Sequence, residues 1–110
     1  LVILLEGGND ILRSLNLKQT KQNLARMIEI AQARNVQLVL IAVPAKNLFS
    51  RTAKLYSELA EQYQLVFSDT LISSLIRSPE LKSDSIHFNQ QGYEKMAQSI
   101  HELLIEHNAL

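Results

Sequence analysis

The sequence predicts an α/β protein in which a parallel sheet is covered by helices on both faces. Three segments are almost wholly apolar, and the segments between them place apolar residues at helical spacing. Continuous apolar runs are typical of strands in a parallel sheet, because both faces of such a strand are buried. A strand with one face in water alternates apolar and polar residues instead. Strands that alternate with helical patterns indicate right-handed βαβ crossovers, which produce this layered arrangement.

The three apolar segments define the predicted strands. The first is Leu1–Leu5, the second runs from Val36 to Val43 and stops at Pro44, and the third is 65–67. The sequence of the first two is typical of buried strands, and that of the first predicts a strand covered on both faces. Strands of this kind normally lie in the middle of a sheet. We therefore expect that the chain lacks an N-terminal portion of its parent protein.

Apolar residues at helical spacing predict the helices that join and follow these strands. The expected helices run from Leu17 to about Asn35, over 55–63, over 71–76, and from Asn89, as an N-cap, towards the C-terminus. The polar segment 77–89 is predicted to be a loop. In open parallel sheets, ligands bind beyond the carboxyl ends of the strands. The residues after each strand, together with that loop, are therefore the candidate site.

Composition excludes several classes of protein. The chain has 110 residues, which supports one domain, and its 11 basic and 11 acidic side chains argue against an electrostatic nucleic-acid binder. The absence of cysteine excludes disulfides, thiolate metal sites and a cysteine nucleophile. No apolar run is long enough to span a membrane, and Leu1–Leu5 lacks the basic lead-in of a signal peptide.

The first candidate motif is the turn Gly7-Gly8-Asn9-Asp10, directly after the first strand. Taken alone, it is most simply a strand-ending turn, because glycine and asparagine tolerate positive φ. The functional alternative is that the Asn9 amide donates a hydrogen bond to an oxyanion. The turn is not a GxGxxG sequence, so nothing favours a dinucleotide.

The second candidate motif is Asp84-Ser85-Ile86-His87. A carboxylate three residues before a histidine can accept the Nδ1 proton and leave Nε2 as a base. The simpler alternative is a surface loop with two unrelated polar residues. No second histidine or acidic cluster lies at ligand spacing, so no metal site is expected. His101 and His107, on the last helix, are expected to be structural or exposed.

Together, the two motifs resemble the SGNH (GDSL-type) hydrolase superfamily, in particular its small thioesterase, lysophospholipase and arylesterase members. The segment 1–13 is similar to the third conserved block of that superfamily, 20–24 to the start of its next helix, and 84–93 to its fifth block. The resemblance covers the whole chain in order. One departure is Phe88, where many members have proline. We expect this change to alter the loop and the wall of the acyl pocket, not the triad.

The resemblance implies a role for each motif residue. Asn9 matches the asparagine that donates into the oxyanion hole, His87 the general base, and Asp84 the residue that orients it. The supporting turn comprises Gly7, Gly8 and Asp10. The implied fold is the flavodoxin-like, three-layer α/β/α fold with sheet order 2-1-3-4-5, of which this chain supplies strands 3, 4 and 5 with their helices.

The Gly-Asp-Ser block that holds the nucleophile in this superfamily has no counterpart here, and we assign none of the serines as nucleophile. Residues 1–110 are therefore interpreted as the C-terminal part of one SGNH hydrolase domain. We expect the chain alone to be inactive. In this chain we expect Leu1–Leu5 to be an exposed apolar edge without the helices that would cover it. We also expect this edge to pair with the missing N-terminal half, or with a second copy in an exchanged dimer.

The predicted function of the parent protein is hydrolysis of a small carboxylic ester or thioester through a Ser-His-Asp acyl-enzyme, as in GDSL-type esterases, lipases and lysophospholipases. It requires no cofactor or metal and involves no nucleic acid. Two alternatives stay open: a non-catalytic α/β binding module that keeps the fold, and a carbohydrate deacetylase of the same superfamily. The compartment is not determined, although related small enzymes are often exported.

Overall fold

A computed structural model describes residues 1–7, 16–44, 54–84 and 87–110. Three parallel strands form one sheet: β1 (Val2–Leu4), β2 (Leu38–Ile41) and β3 (Val66–Ser68), in the order β1-β2-β3. The register places Leu4 beside Leu40 and Leu40 beside Phe67. The predicted parallel α/β architecture is confirmed.

The helices follow the strands as the apolar spacing predicts. They are α1 (Leu17–Ala33), α2 (Lys54–Tyr63), α3 (Leu71–Ile76) and α4 (Gln90–Glu106). The side chain of Asn89 accepts a hydrogen bond from the Gly92 N–H, which confirms this residue as the N-cap of α4. None of the described helices combines the length and the apolar character that a membrane span requires.

The described part of the segment between α3 and α4 has more regular structure than the predicted loop. It contains a 3-10 helix at Pro79–Leu81, with proline at the position where a helix needs no N–H donor. The side chain of Leu81 is buried. The polar composition of 77–89 concealed this turn, because a single buried residue has no periodicity to detect.

Helices cover the sheet from two sides, as predicted, and divide the core in two. On the first face, Leu38 and Leu40 of β2 pack with Leu24 and Ile28 of α1 and with residues of α2. On the second face, a separate cluster joins residues of β2, α3, α4 and the segment just before α4 (Val39, Ile41, Ile72, Ile76, Phe88 and Leu104). Successive side chains of β2 therefore alternate between two helical layers.

Strand β1 is an exposed apolar edge in this chain, as expected. Leu4 is buried, but Val2 and Ile3 are exposed, so the described residues do not provide the cover on both faces that the apolar run by itself predicts. Ile3 is 42% exposed, whereas Val39, its neighbour in the register, is 0% exposed. The reason is that α3 and α4, in the described part of the chain, pack against β2 and β3 and do not extend over β1.

Polar contacts join α1 to α2 above the first face, and two of them involve a carboxylate. The ammonium of Lys21 lies against the Glu58 carboxylate, donates a hydrogen bond to it and so lowers the pKa of Glu58. The hydroxyl of Tyr63 donates to Glu29 over 2.8 Å, which raises the pKa of Tyr63. Both contacts are at the protein surface, so we expect them to align the helices more than to stabilise them.

The two isoleucines Ile28 and Ile105 provide a matched test of this core. Ile28 is 0% exposed and Ile105 is 52% exposed, and both lie in long helices. We expect Ile28→Ala to lower the free energy of unfolding by about 2–5 kcal/mol, because it removes buried methyl groups and leaves a cavity. Ile105→Ala is expected to change it by less than about 0.5 kcal/mol. Urea unfolding followed by circular dichroism measures both, and equal losses would contradict this division of the core.

Candidate active site

The loop before α4 is closed at its base by hydrogen bonds. Lys82 and Phe88 form an isolated antiparallel bridge, and the Ser83 N–H donates to the His87 carbonyl over 3.0 Å. The Ser83 hydroxyl also donates to the Phe88 carbonyl over 3.2 Å. These bonds join the two ends of the loop and bring Asp84 and His87 together at its tip.

Asp84 contacts both the backbone and the ring of His87. Its Oδ1 accepts from the His87 N–H at 2.7 Å, and its Oδ2 lies 3.0 Å from Nδ1. A carboxylate accepts but does not donate, so the neutral ring beside it carries its proton on Nδ1. Nε2 then keeps its lone pair. The spacing of three residues has a structural reason, since it lets one carboxylate make both contacts.

This pair can orient a general base, and it is open to solvent in this chain. The side chains of His87 and Asp84 are 66% and 57% exposed. A base that activates a nucleophile works best where water is excluded and fixed dipoles replace it. The geometry therefore provides an oriented imidazole, while the described residues do not enclose it.

Two structural features hold the loop on the protein. Phe88, next to His87, is buried in the second-face core and meets Tyr93 edge-to-face, with 5.7 Å between ring centroids. Gly92, in the first turn of α4, allows this helix to lie close to the Leu81 backbone. A Cβ at this position would lie 2.1 Å from the Leu81 carbonyl oxygen. Phe88 thus belongs to the core and acts as an anchor for His87.

The turn after β1 is only partly within the described residues. Gly7 has φ +98°, which glycine adopts without strain, as the turn interpretation requires. Gly8, Asn9 and Asp10 lie outside the described residues, so the position of the predicted oxyanion donor stays a prediction. Glu6, the residue before Gly7, is exposed, and its carbonyl accepts a hydrogen bond from the Tyr56 hydroxyl.

Tyr56 is a residue whose role the sequence did not predict. It is 0% exposed, as expected of a core residue of α2, and its hydroxyl reaches the last residues of the β1 segment. A Cβ on Gly7 would lie 2.5 Å from that hydroxyl oxygen. Helical spacing predicts that Tyr56 faces the core, but no sequence signal shows which carbonyl its hydroxyl meets.

The other candidates agree with their simpler interpretations. His101 is exposed on α4, and His107 is the exposed C-cap residue of that helix. Among the described residues, no group of three histidine, cysteine, aspartate or glutamate side chains is arranged to hold a metal ion.

A family model now identifies the relationship. The model of the GDSL-like lipase/acylhydrolase family matches residues 1–95, which includes the β1 turn and the Asp84–His87 loop. The chain belongs to this family. A search of curated protein sequences finds no match.

Solved structures confirm the SGNH hydrolase fold. The chain is similar to TesA, with 24% identity and a TM-score of 0.81, over 94% of this chain and 61% of that one. It is similar to the psychrotrophic esterase EstA from Pseudoalteromonas sp., with 24% identity and a TM-score of 0.72, over 94% and 62%. It is also similar to AlinE4, an SGNH-hydrolase family esterase, with 27% identity and a TM-score of 0.66, over 96% and 59%.

These matches cover a larger share of this chain than of the solved structures. The chain of this GDSL-like protein spans about 60% of the length of the structures it matches, although nearly all of its own residues are used. The likeness therefore concerns one part of the fold of those proteins.

Gly92 provides a test of how the loop is anchored. We expect Gly92→Ala to lower the free energy of unfolding by about 1–3 kcal/mol, because the new methyl group displaces the Leu81 carbonyl or the Phe88 ring. Gln91→Ala, at the exposed preceding position, is the control and should change it by less than about 0.5 kcal/mol. Urea unfolding gives both values. In nuclear magnetic resonance spectra, the His87 signals should shift in the first variant only.

Proposed function

We propose that this chain supplies the general base, its orienting carboxylate and one oxyanion donor of a serine ester or thioester hydrolase. The observation that carries the proposal is the double contact between Asp84 and His87, with Oδ2 at 3.0 Å from Nδ1. Membership in the GDSL-like lipase/acylhydrolase family supports the reaction class.

In the proposed mechanism, His87 moves protons in two successive steps. Its Nε2 takes the proton of a serine hydroxyl while the serine oxygen attacks the substrate carbonyl. The tetrahedral intermediate collapses, the bond to the leaving alcohol or thiol breaks, and His87 gives that group the proton. Water, deprotonated by His87, then attacks the acyl-enzyme. The ester bond to the serine breaks, the acid is released, and His87 returns the proton to the serine oxygen. Asp84 stabilises the imidazolium that forms in each step.

Asn9 is the proposed oxyanion donor. Its amide N–H would bond the negative oxygen of the tetrahedral intermediate, and such donors act mostly in the transition state. The motif position directly after β1 supports this role, since parallel sheets bind ligands beyond the carboxyl ends of their strands. Tyr56 supports it further by holding the Glu6 carbonyl at the start of the same turn.

We propose that the nucleophile lies in a longer form of the protein, of which residues 1–110 are the C-terminal part. Two observations support this. The chain spans about 60% of the matched esterase structures, and the side chains of both His87 and Asp84 are more than half exposed. A catalytic pair of this kind needs a wall that excludes water, and the same missing part would provide both the wall and the serine.

The first functional prediction concerns the isolated chain. We expect no serine-dependent ester hydrolysis, because loss of a triad nucleophile costs on the order of 10⁶-fold in turnover. Hydrolysis of a short p-nitrophenyl ester by the purified chain tests this. Turnover that disappears when one of its own serines is replaced by alanine would contradict the proposal.

The second functional prediction concerns the longer protein. We expect His87→Ala to abolish activity, Asp84→Asn to remove much of it, and Asn9→Ala to lower kcat by about 10²–10³-fold with little change in KM. The control is His101→Ala, because His101 is exposed and lies on α4, the helix that follows the loop. This variant should keep full activity. Steady-state kinetics on ester and thioester substrates measure these effects. A normal kcat in His87→Ala would contradict the assignment of His87 as the general base, whereas a longer protein without esterase activity would support the non-catalytic alternative.

A further inference from the structure

The buried phenol of Tyr56 takes no part in the proton transfers described above. Tyr56 lies in the first turn of α2 and is 0% exposed, among the apolar residues of the first-face core. A hydroxyl in such surroundings is unfavourable unless it makes a hydrogen bond, whereas phenylalanine would fill the same space without that requirement. The place of its hydrogen-bond partner therefore indicates what this hydroxyl does.

That partner lies just beyond the end of the sheet. The Tyr56 hydroxyl donates to the Glu6 carbonyl over 2.5 Å. Leu4 and Leu40 are the last pair in the ladder between β1 and β2, so Glu6 follows the last paired residue of β1 by two positions. A side chain of α2 thus binds the backbone of the β1 segment beyond its last partner in β2.

Gly7, the next residue, packs against side chains of both first-face helices. A Cβ at Gly7 would lie 2.5 Å from the Tyr56 hydroxyl oxygen and 3.4 Å from the methyl group of Thr20, a buried residue of α1. The backbone of Gly7 has φ +98°, a conformation that glycine adopts without strain and that is typical of a turn. The start of the turn is therefore held by a hydrogen bond on one residue and by close packing on the next.

We propose that Tyr56 is a positioning residue for Asn9. Its hydroxyl fixes the start of the turn, and Asn9 follows Gly7 by two residues in the sequence. The inference rests on the proposed function in one respect, which is the role of Asn9 as the oxyanion donor. A donor of this kind must be held in place before the reaction, because a displacement of 1 Å costs about 10²-fold in rate.

The second tyrosine of α2 provides a matched control. Tyr63, the last residue of α2, also donates its hydroxyl to a residue that is distant in the sequence, the Glu29 carboxylate of α1. This contact is at the protein surface and does not involve the turn after β1. Removal of the Tyr63 hydroxyl therefore changes a tyrosine of the same helix and leaves the contacts of Glu6 and Gly7 intact.

The first measurement uses no activity. In the longer protein, we expect Tyr56→Phe to shift the nuclear magnetic resonance signals of the Asn9 side-chain amide, and Tyr63→Phe to leave them unchanged. Both variants should keep the circular dichroism spectrum of the folded protein. Phenylalanine keeps the ring of Tyr56 in the core, and Glu6 is exposed, so water can replace the hydroxyl at its carbonyl.

The second measurement is the kinetics of the longer protein. We expect Tyr56→Phe to lower kcat roughly 10–100-fold, which is less than the loss in Asn9→Ala. KM should change by less than about twofold, because the oxyanion contact forms mostly in the transition state. The pH dependence of kcat/KM should keep its midpoint, since the contact between Asp84 and His87 is not altered. A purely structural role, which would loosen the whole site, would move that midpoint as well.

A double-mutant cycle tests whether Tyr56 acts through Asn9. In an Asn9→Ala background, Tyr56→Phe should change kcat by less than about twofold, because the group that it positions has been removed. Replacement of Tyr56 by 4-aminophenylalanine keeps a hydrogen-bond donor at the tip of the ring. This variant should keep most of kcat and the Asn9 signals of the unchanged protein.

Four results would overturn the proposal. They are unchanged Asn9 signals in Tyr56→Phe, equal effects of Tyr56→Phe and Tyr63→Phe, the same loss of kcat with and without Asn9, and no recovery by 4-aminophenylalanine. A different result would reject the proposed function instead. If the Asn9 signals shift in Tyr56→Phe but Asn9→Ala keeps a normal kcat, Tyr56 positions the turn and Asn9 is not the oxyanion donor.

Discussion

The requirement that a parallel sheet be covered on both faces governs this structure. Strand β2 meets it fully, since Leu38–Ile41 are all buried and their side chains alternate between two helical layers. The helices α1 and α2 on one face and α3 and α4 on the other are positioned by these four residues. Strand β1 has the same composition but lies at the edge of that cover, and its apolar side chains are therefore exposed.

The candidate site depends on the second-face core in a direct way. Phe88 occupies that core, and the adjacent residue, His87, is thereby held at the surface. The bridge between Lys82 and Phe88 and the close approach at Gly92 fix the base of the loop. The hydrogen bond from the His87 N–H to Asp84 helps to set the local geometry in which the carboxylate also meets the ring. A stable core thus positions an exposed, polar tip.

Much of the fold and part of the site could be predicted from the sequence. The order of strands and helices, the N-cap at Asn89 and the contact between Asp84 and His87 all depend on residues close in the chain. The 3-10 helix at Pro79–Leu81 was missed because one buried leucine in a polar segment has no periodicity. The hydrogen bond from Tyr56 to the Glu6 carbonyl was missed because its two partners are 50 positions apart.

The sequence by itself determined that this protein is a parallel α/β fold with an aspartate–histidine motif before its last helix. Periodicity and spacing report such local features because they act within one turn or one strand. Only the tertiary structure decided which side chains of β1 are exposed, that Phe88 is an anchor in the core, and that Gly92 permits a close backbone approach. Whether a residue is buried depends on the elements, often distant in sequence, that pack over it. An apolar run shows only that burial of its side chains would be favourable.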